Sequence, residues 1–233
     1  MRCGSSDAGS IYSGGSFFCF SCGYFSASKT SPYLTEEPKP IDLALPEDAG
    51  KNYGQEAIEW IGKYGLSTTE LLQRDVLWSE AKKQLLFTFK DSEGQLLLWQ
   101  ARNFYSGAKL KYFTKGTPDS VLPMYGHDPE RTETSLVLVE DCVSAMKIAR
   151  QASAMPVLGS GLSRLKLARL RAFWGPSSPV VVWLDGNMFH KAQTIAWQLC
   201  LLGCDASAVY TEMDPKCYSN KEIAVTICNS ARQ

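Results

Sequence analysis

The sequence predicts an α/β protein: a mostly parallel sheet flanked by helices, preceded by an α+β segment and a small cysteine-bearing β element. Three observations predict it. From about residue 135, short apolar runs alternate with amphipathic stretches, the pattern of strands buried on both faces and joined by covering helices. Ahead of that region, two β-rich runs flank a Gly-containing turn. At the start, cysteines recur at metal-ligand spacing in a stretch with almost no charge.

The 233 residues carry 24 Lys+Arg against 24 Asp+Glu, are 45% hydrophobic and 21% charged, and include eight Cys and two His. That length suffices for one large domain or two smaller ones, each with its own core. No apolar run of about eighteen residues is present, so no membrane span is expected. The opening MRCGSSDAGS lacks the apolar stretch of a signal peptide, which predicts an intracellular protein. Thiols or metal ligands, not disulfides, are then the expected state of the cysteines. Zero net charge argues against a uniformly basic nucleic-acid coat, but not against local basic patches.

Taken in order, residues 1–25 are rich in Gly, Ser, Cys and aromatics, and residues 26–48 read as a Pro-rich extended linker. Residues 49–133 form the α+β segment and 134–233 the α/β unit. The spacing predicts helix over 54–74 with a break at Gly65, and a capping box of Ser67 with Glu70. QLLFTFK, the turn Asp91 to Gly94 and QLLLWQARNF predict a hairpin. KLKYFT (Lys109 to Thr114) predicts another strand. SLVLV, MPVLG, PVVVWLD and ASAVYTE are the expected parallel strands, alternating with helices through SAMKIARQ, from Ser163, through HKAQTIAWQLCLLG and from Ser219, with Glu222 capping the last.

Cys3, then Cys19-x-x-Cys22, enclose a hairpin-like run with Gly14-Gly15 at its turn. A zinc ribbon places four soft ligands tetrahedrally, two from each of two knuckles. Three are visible here. The fourth is expected three residues before Cys3, which reads the chain as starting inside a Cys-x-x-Cys pair. A water, the terminal amine or a distant group is the alternative. The other five cysteines, Cys142, Cys200, Cys204, Cys217 and Cys228, are expected as buried thiols.

Acids follow three predicted strands: Glu140-Asp141, Asp185 and Asp214. Ligands of parallel sheets bind beyond the carboxyl ends of the strands. Carboxylates converging there suit a hard cation such as Mg²⁺. One such Asp is commonplace as a helix cap; three in one unit favour metal. Asn187, the next residue after Asp185-Gly186, is expected with Glu140 and Asp185 as a cation ligand: its neutral amide can still coordinate, but it supplies one negative charge less than a carboxylate.

The zero net charge conceals basic tracts. Between Glu93 and Asp119 there is no acid, while Arg102, Lys109, Lys111 and Lys115 are interleaved with Trp99, Phe104, Tyr105, Tyr112 and Phe113. Cations among aromatics suit phosphate tracking and base stacking on single strands. A second acid-free stretch, Cys142 to Leu184, includes Arg164, Lys166, Arg169 and Arg171 on an amphipathic helix, where a solvated polar face is the default.

Together, CGSSDAGSIY, FFCFSCG, LVLVEDCVSAMKIA, VLGSGLS, VVVWLDGN and DPKCYSNKEI, in that order, resemble the zinc ribbon and Toprim catalytic domain of podovirus-type bacteriophage DNA primases. The resemblance covers nearly the whole chain, the middle segment with QARN and KLKYFTKG included. It implies a Toprim-type fold and synthesis of short RNA primers on single-stranded DNA from ribonucleoside triphosphates with Mg²⁺ (or Mn²⁺), in the host cytoplasm. By position, Glu140 matches the Toprim glutamate, a metal ligand or acid–base group, and Asp185 the first acid of Asp-x-Asp, a metal ligand. Asn187 stands at its second acid. Asp214 and Lys216 are expected at the rim, holding metal and triphosphate. Arg102, Lys109, Lys111 and Lys115 match the segment that holds nucleotide or template. Cys3, Cys19 and Cys22 match ribbon Zn²⁺ ligands that help select the template sequence.

No Gly-x-x-x-x-Gly-Lys-Ser/Thr loop is present, so the expected helicase partner is a separate polypeptide. Asn187 and the absent first ribbon Cys leave two other readings open: a non-synthesising DNA-binding or helicase-docking module, and a Toprim nuclease, which accounts less well for the ribbon.

Overall fold

The computed structural model describes residues 43–108, 110–126, 135–159, 161–174 and 178–230, together with the strand backbones of 9–11, 17–19 and 25–26. The chain divides into two compact units, Met1–Ile41 and Asp42–Gln233.

The first unit holds three short antiparallel strands in the order β1 (Gly9–Ile11), β2 (Phe17–Cys19) and β3 (Phe25–Ser26). Gly9 pairs with Cys19 and Ile11 with Phe17, which is the expected hairpin. Its Gly14-Gly15 turn lies outside the described residues, as do Cys3 and Cys22; Cys19 ends β2.

The second unit opens with α1 (Gln55–Gly62) and α2 (Thr68–Gln73). The break falls where expected, at Gly65, whose φ of +69° suits a residue without a Cβ. The Ser67–Glu70 capping box is present in both directions. A four-stranded antiparallel meander follows in sequence order: β4 (Val76–Ser79), β5 (Gln84–Lys90), β6 (Leu96–Asn103) and β7 (Tyr112–Gly116). The β5–β6 hairpin matches expectation, and β7 begins three residues later than KLKYFT implied. Strand β4 was not anticipated: VLWS is too short to show alternation, and its pairing with β5 defines it.

The remaining strands form a parallel sheet in the order β11-β10-β8-β9: β8 (Leu136–Val139), β9 (Ser153–Pro156), β10 (Val180–Val182) and β11 (Ala206–Ala208). Helices α3 (Cys142–Ile148), α4 (Arg164–Trp174), α5 (Phe189–Leu201) and α6 (Asn220–Ser230) cross over between and beyond them. Side chains alternate across this sheet. Leu136, Leu138, Val180 and Val182 pack with Leu167, Leu170, Ile195 and Leu199 of α4 and α5. Val137, Val139, Val181 and Trp183 point the other way, into a core that also contains Leu85, Phe87 and Leu98 of the meander, Ile61 and Leu71 of α1 and α2, and Ile223 of α6. Meander and parallel sheet therefore share one core. Their expected boundary near residue 133 separates two sheets of one unit.

Residues 43–49, at the end of the predicted linker, cover the outer face of the meander. Leu43, Leu45 and Ala49 pack on Leu86, Trp99 and Ala101, and Trp99 Nε1 donates to the Leu43 carbonyl at 3.1 Å. Asp48 accepts from Ser79 Oγ and the Ala81 amide, both at 2.7 Å. The cysteine expectation holds only in part: Cys142 and Cys204 are buried, whereas Cys200, Cys217 and Cys228 are exposed free thiols. Cys200 and Cys228 fall on outward faces of α5 and α6, which apolar composition alone does not reveal.

One polar junction ties α2 to α3 and α6. Arg150 donates Nε and Nη2 to the Glu70 carboxylate at 2.8 and 2.7 Å, Nη2 to the Gly65 carbonyl at 2.8 Å and Nη1 to Asn220 Oδ1 at 3.4 Å. These bonds to Arg150 hold Glu70 down to a pKa of about 2, against the opposing effect of burial. A depressed carboxylate contributes stability above its unfolded pKa that is lost as pH falls through its folded one. Arg150→Ala is expected to cost about 2 kcal/mol at neutral pH. It should also flatten the acid limb of stability between about pH 4.5 and 2, measured by urea unfolding across that range.

Candidate active site

Strand β8 delivers Glu140 and Asp141 at its carboxyl end, and Asp185 follows β10 by way of Trp183 and Leu184. Asp214 and Lys216 come from the turn between β11 and α6. Opposite them stand Gln100 of β6, Lys111, Tyr112 of β7, and Trp60 and Tyr64 of α1 and its exit. With Gly159, these residues line a cleft of about 260 Å³.

Each acid is differently supported. Asp141 caps α3: its Oδ1 accepts from the Ser144 amide at 2.9 Å and Oδ2 from Ser144 Oγ at 3.3 Å. Lys216 Nζ donates to Asp141 Oδ2 and to Asp214 Oδ2, both at 2.7 Å, and lies 5.8 Å from the centre of the Tyr64 ring. Burial alone would lower the Lys216 pKa, but the Asp141 charge and the two hydrogen bonds outweigh it, so the ammonium is held firmly protonated. Lys147, itself buried, donates to the Lys216 carbonyl at 2.9 Å and fixes the turn on α3.

Asp185 is the outlier. Its Oδ1 is buried and has no hydrogen-bond partner. Burial, reinforced by Asp214, Glu140 and Asp141 and opposed by Lys216, pushes its pKa up to about 7. Glu140 is raised too, by burial and then by Asp141. A buried carboxylate oxygen without a donor is costly unless a proton or a cation reaches it.

Gly186 brings this loop against its neighbour. A Cβ there would collide with the Thr211 carbonyl oxygen, so only glycine lets the chain after Asp185 approach the segment that leads to Asp214. Trp183 Nε1 donates to Thr211 Oγ1 at 2.8 Å, and that hydroxyl donates to the Met213 carbonyl at 2.8 Å, which orders the same segment.

The structure thus brings Glu140, Asp185, Asp214 and Lys216 together and adds Asp141, which sequence reasoning left undecided. Asn187 is exposed in the short 3₁₀ turn Gly186–Met188 and is not among the lining residues. The basic tract divides. Lys111 lines the cleft. The Arg102 guanidinium lies beside it, 5.2 Å from the Trp60 ring centre, 5.1 Å from Tyr112 and 5.5 Å from Phe104, with a buried Nε lacking a partner. Lys115 falls on the opposite face of the meander, 5.6 Å over Trp99, in a depression of about 660 Å³ shared with Lys82, Lys83, Tyr105 and Phe113. Alternation along β7 imposes that division. Lys109 lies outside the described residues. Trp60, Tyr64 and Gln100 were not anticipated. Gln100 had a signal, because it sits two residues from Arg102 on one strand face.

No protein-family model matches the sequence, and no curated protein matches it. Solved structures do. The zinc-binding and RNA polymerase domains of Aquifex aeolicus primase superpose with a TM-score of 0.64 at 15% identity, over 78% of this chain and 57% of that one. The primase fragment of the bacteriophage T7 primase-helicase protein superposes with a TM-score of 0.59 at 11% identity, over 99% of this chain and 96% of that one. The fold is that of DNA primase catalytic cores. The DnaG primase catalytic domain bound to single-stranded DNA also matches, with a TM-score of 0.55 at 14% identity, over 76% of this chain and 74% of that one. The chain spans little more than half the length of the Aquifex protein. Among the described residues no helix is long and apolar enough to cross a membrane.

Gly186→Ala is expected to destabilise the protein by about 2 kcal/mol, as overpacking does. Gly62→Ala, at the end of α1 with nothing within 4 Å of its Cβ, should instead stabilise it by up to about 1 kcal/mol through helix propensity. Thermal unfolding of the two variants provides the check.

Proposed function

We propose that the chain is a phage-type DNA primase that joins ribonucleotides into short RNA primers on a single-stranded DNA template. One observation carries the reading. A buried carboxylate oxygen of Asp185 waits without a partner beside Glu140, at the carboxyl ends of parallel strands, in a fold shared with primase catalytic cores.

The donors present fit Mg²⁺. They are hard oxygens in an open cleft, and Mg²⁺ is commonly held by one or two carboxylates plus water and substrate phosphates. Among the described residues no three His, Cys, Asp or Glu converge closely enough to enclose a metal ion, in keeping with such a partial set. Glu140 and Asp185 would hold the cation. A divalent cation held there would supply charge neutralisation for the triphosphate and a lower pKa for the attacking 3′-hydroxyl.

The chain's own residues do the rest. Lys216 offsets one of the two charges of Asp141 and Asp214, which lessens the repulsion between the rim and a triphosphate. Lys111 and Arg102 offer positive charge for phosphate oxygens, and Trp60, Tyr64 and Tyr112 offer π faces for a base. Lys115, with Lys82 and the exposed Tyr105, suits the path of the template on the other meander face. Cys3, Cys19 and Cys22 of the unit 1–25 would hold Zn²⁺, with 26–48 linking it to the polymerising part, 49–133 and 134–233. A replicative helicase as partner and the host cytoplasm complete the proposal.

The test is incorporation of labelled ribonucleotides on single-stranded DNA with Mg²⁺ or Mn²⁺. Glu140→Gln and Asp185→Asn should each reduce product by about 10²-fold or more, the worth of several kcal/mol of lost charge stabilisation. No product under any condition, with DNA binding intact, would favour the docking module. That second reading draws support from Asn187, which adds no carboxylate to the cleft. Elemental analysis is expected to find about one zinc per chain; a metal-free, folded and active protein would refute the ribbon.

A further inference from the structure

Two-metal phosphoryl-transfer sites hold two cations about 3.5–4 Å apart between shared acids. The acids of this cleft are not all free to do so. Asp141 and Asp214 are both committed to a single ammonium, which bridges them at 2.7 Å on either side. That ammonium belongs to a residue only 7% exposed, whose backbone is anchored by Lys147. It is a built-in cation and not a loose surface ion pair. Lys216 hydrogen-bonds neither Glu140 nor Asp185, and Asp185 Oδ1 is buried without a partner. Asn187, where a further acid would recruit a second ion, is neutral and exposed.

We propose that the cleft takes one divalent cation, held by Glu140 and Asp185, and that the Lys216 ammonium occupies the second cation position between Asp141 and Asp214. The inference rests on the reading of this cleft as a nucleotidyl-transfer site and specifies its metal content. A fixed ammonium cannot be exchanged or chelated away. It supplies positive charge toward the triphosphate without an open coordination site, so metal dependence follows a single binding event.

The test counts Mn²⁺ on the full, zinc-loaded chain by equilibrium dialysis and electron paramagnetic resonance, with Asp185→Asn marking which ions belong to the cleft. The wild type should bind about one cleft Mn²⁺, with the six-line spectrum of an isolated ion, and lose it in Asp185→Asn. Lys216→Met, which frees Asp141 and Asp214, should bind about two with a spin-coupled spectrum, and Lys216→Gln should do the same. Two coupled ions in the wild type would overturn the inference and leave the primase reading intact; this outcome needs no variant to fold. One ion in both folded Lys216 variants would also overturn it. No cleft Mn²⁺ in the wild type would overturn both the inference and the reading of the cleft.

Discussion

Like charges have to be reconciled where β8 and β10 end. Glu140, Asp141, Asp185 and Asp214 line one cleft, and the fold must hold them there without water enough to screen them all. It does so in three ways. Asp141 is turned into a helix cap, so its charge meets the N-terminal amides of α3. Lys216 is driven between Asp141 and Asp214 by a turn that Lys147 fastens to α3. Glu140 and Asp185 are left half-buried, where a proton or a metal relieves them. The close approach at Gly186, the Trp183–Thr211–Met213 chain of hydrogen bonds and the sharp turn at Pro215–Cys217 all serve this arrangement. Each places an acid or its counterion to within a side chain's reach.

The meander is the second half of the same solution. Its inner face shares a core with the parallel sheet and brings Gln100, Tyr112 and Arg102 to the cleft. Its outer face is closed by residues 43–49 and carries Lys115 over Trp99. One four-stranded sheet thus offers cations and aromatic rings on two sides. One side looks toward the acids, and the other toward a separate depression. A nucleotide and a polymer chain make different demands, and two faces can meet both.

Much of this was legible in the sequence because it rests on period and on caps. Short apolar runs rich in β-branched residues, such as Leu136–Val139, fit buried strands better than helices, and the Ser67–Glu70 and Ser219–Glu222 boxes mark helix starts at single-residue precision. The acids at strand ends followed from topology alone. What escaped was set by pairing and packing. β4 exists because β5 needs a partner on that edge. β9 starts two residues earlier than MPVLG because its register against β8 aligns Leu136 with Ser153. The division of the basic tract over two faces depends on where β7 begins, and the solvent-facing Cys200 and Cys228 on how α5 and α6 are rotated. Asp141 had a visible signal, an acid two residues into the turn after a strand. Its dual part as cap and counterion to Lys216 could be read only once residues 75 apart in sequence were seen together.

We propose that Glu140 and Asp185, through a bound cation, make this cleft a receptor for a ribonucleoside triphosphate. Calorimetric titration of the full chain with a ribonucleoside triphosphate, with and without Mg²⁺, tests it most directly. The account predicts saturable one-to-one binding that requires Mg²⁺ and is lost when both acids are changed, Glu140→Gln with Asp185→Asn. Binding of equal affinity without the cation, or undiminished in the doubly changed protein, would contradict it.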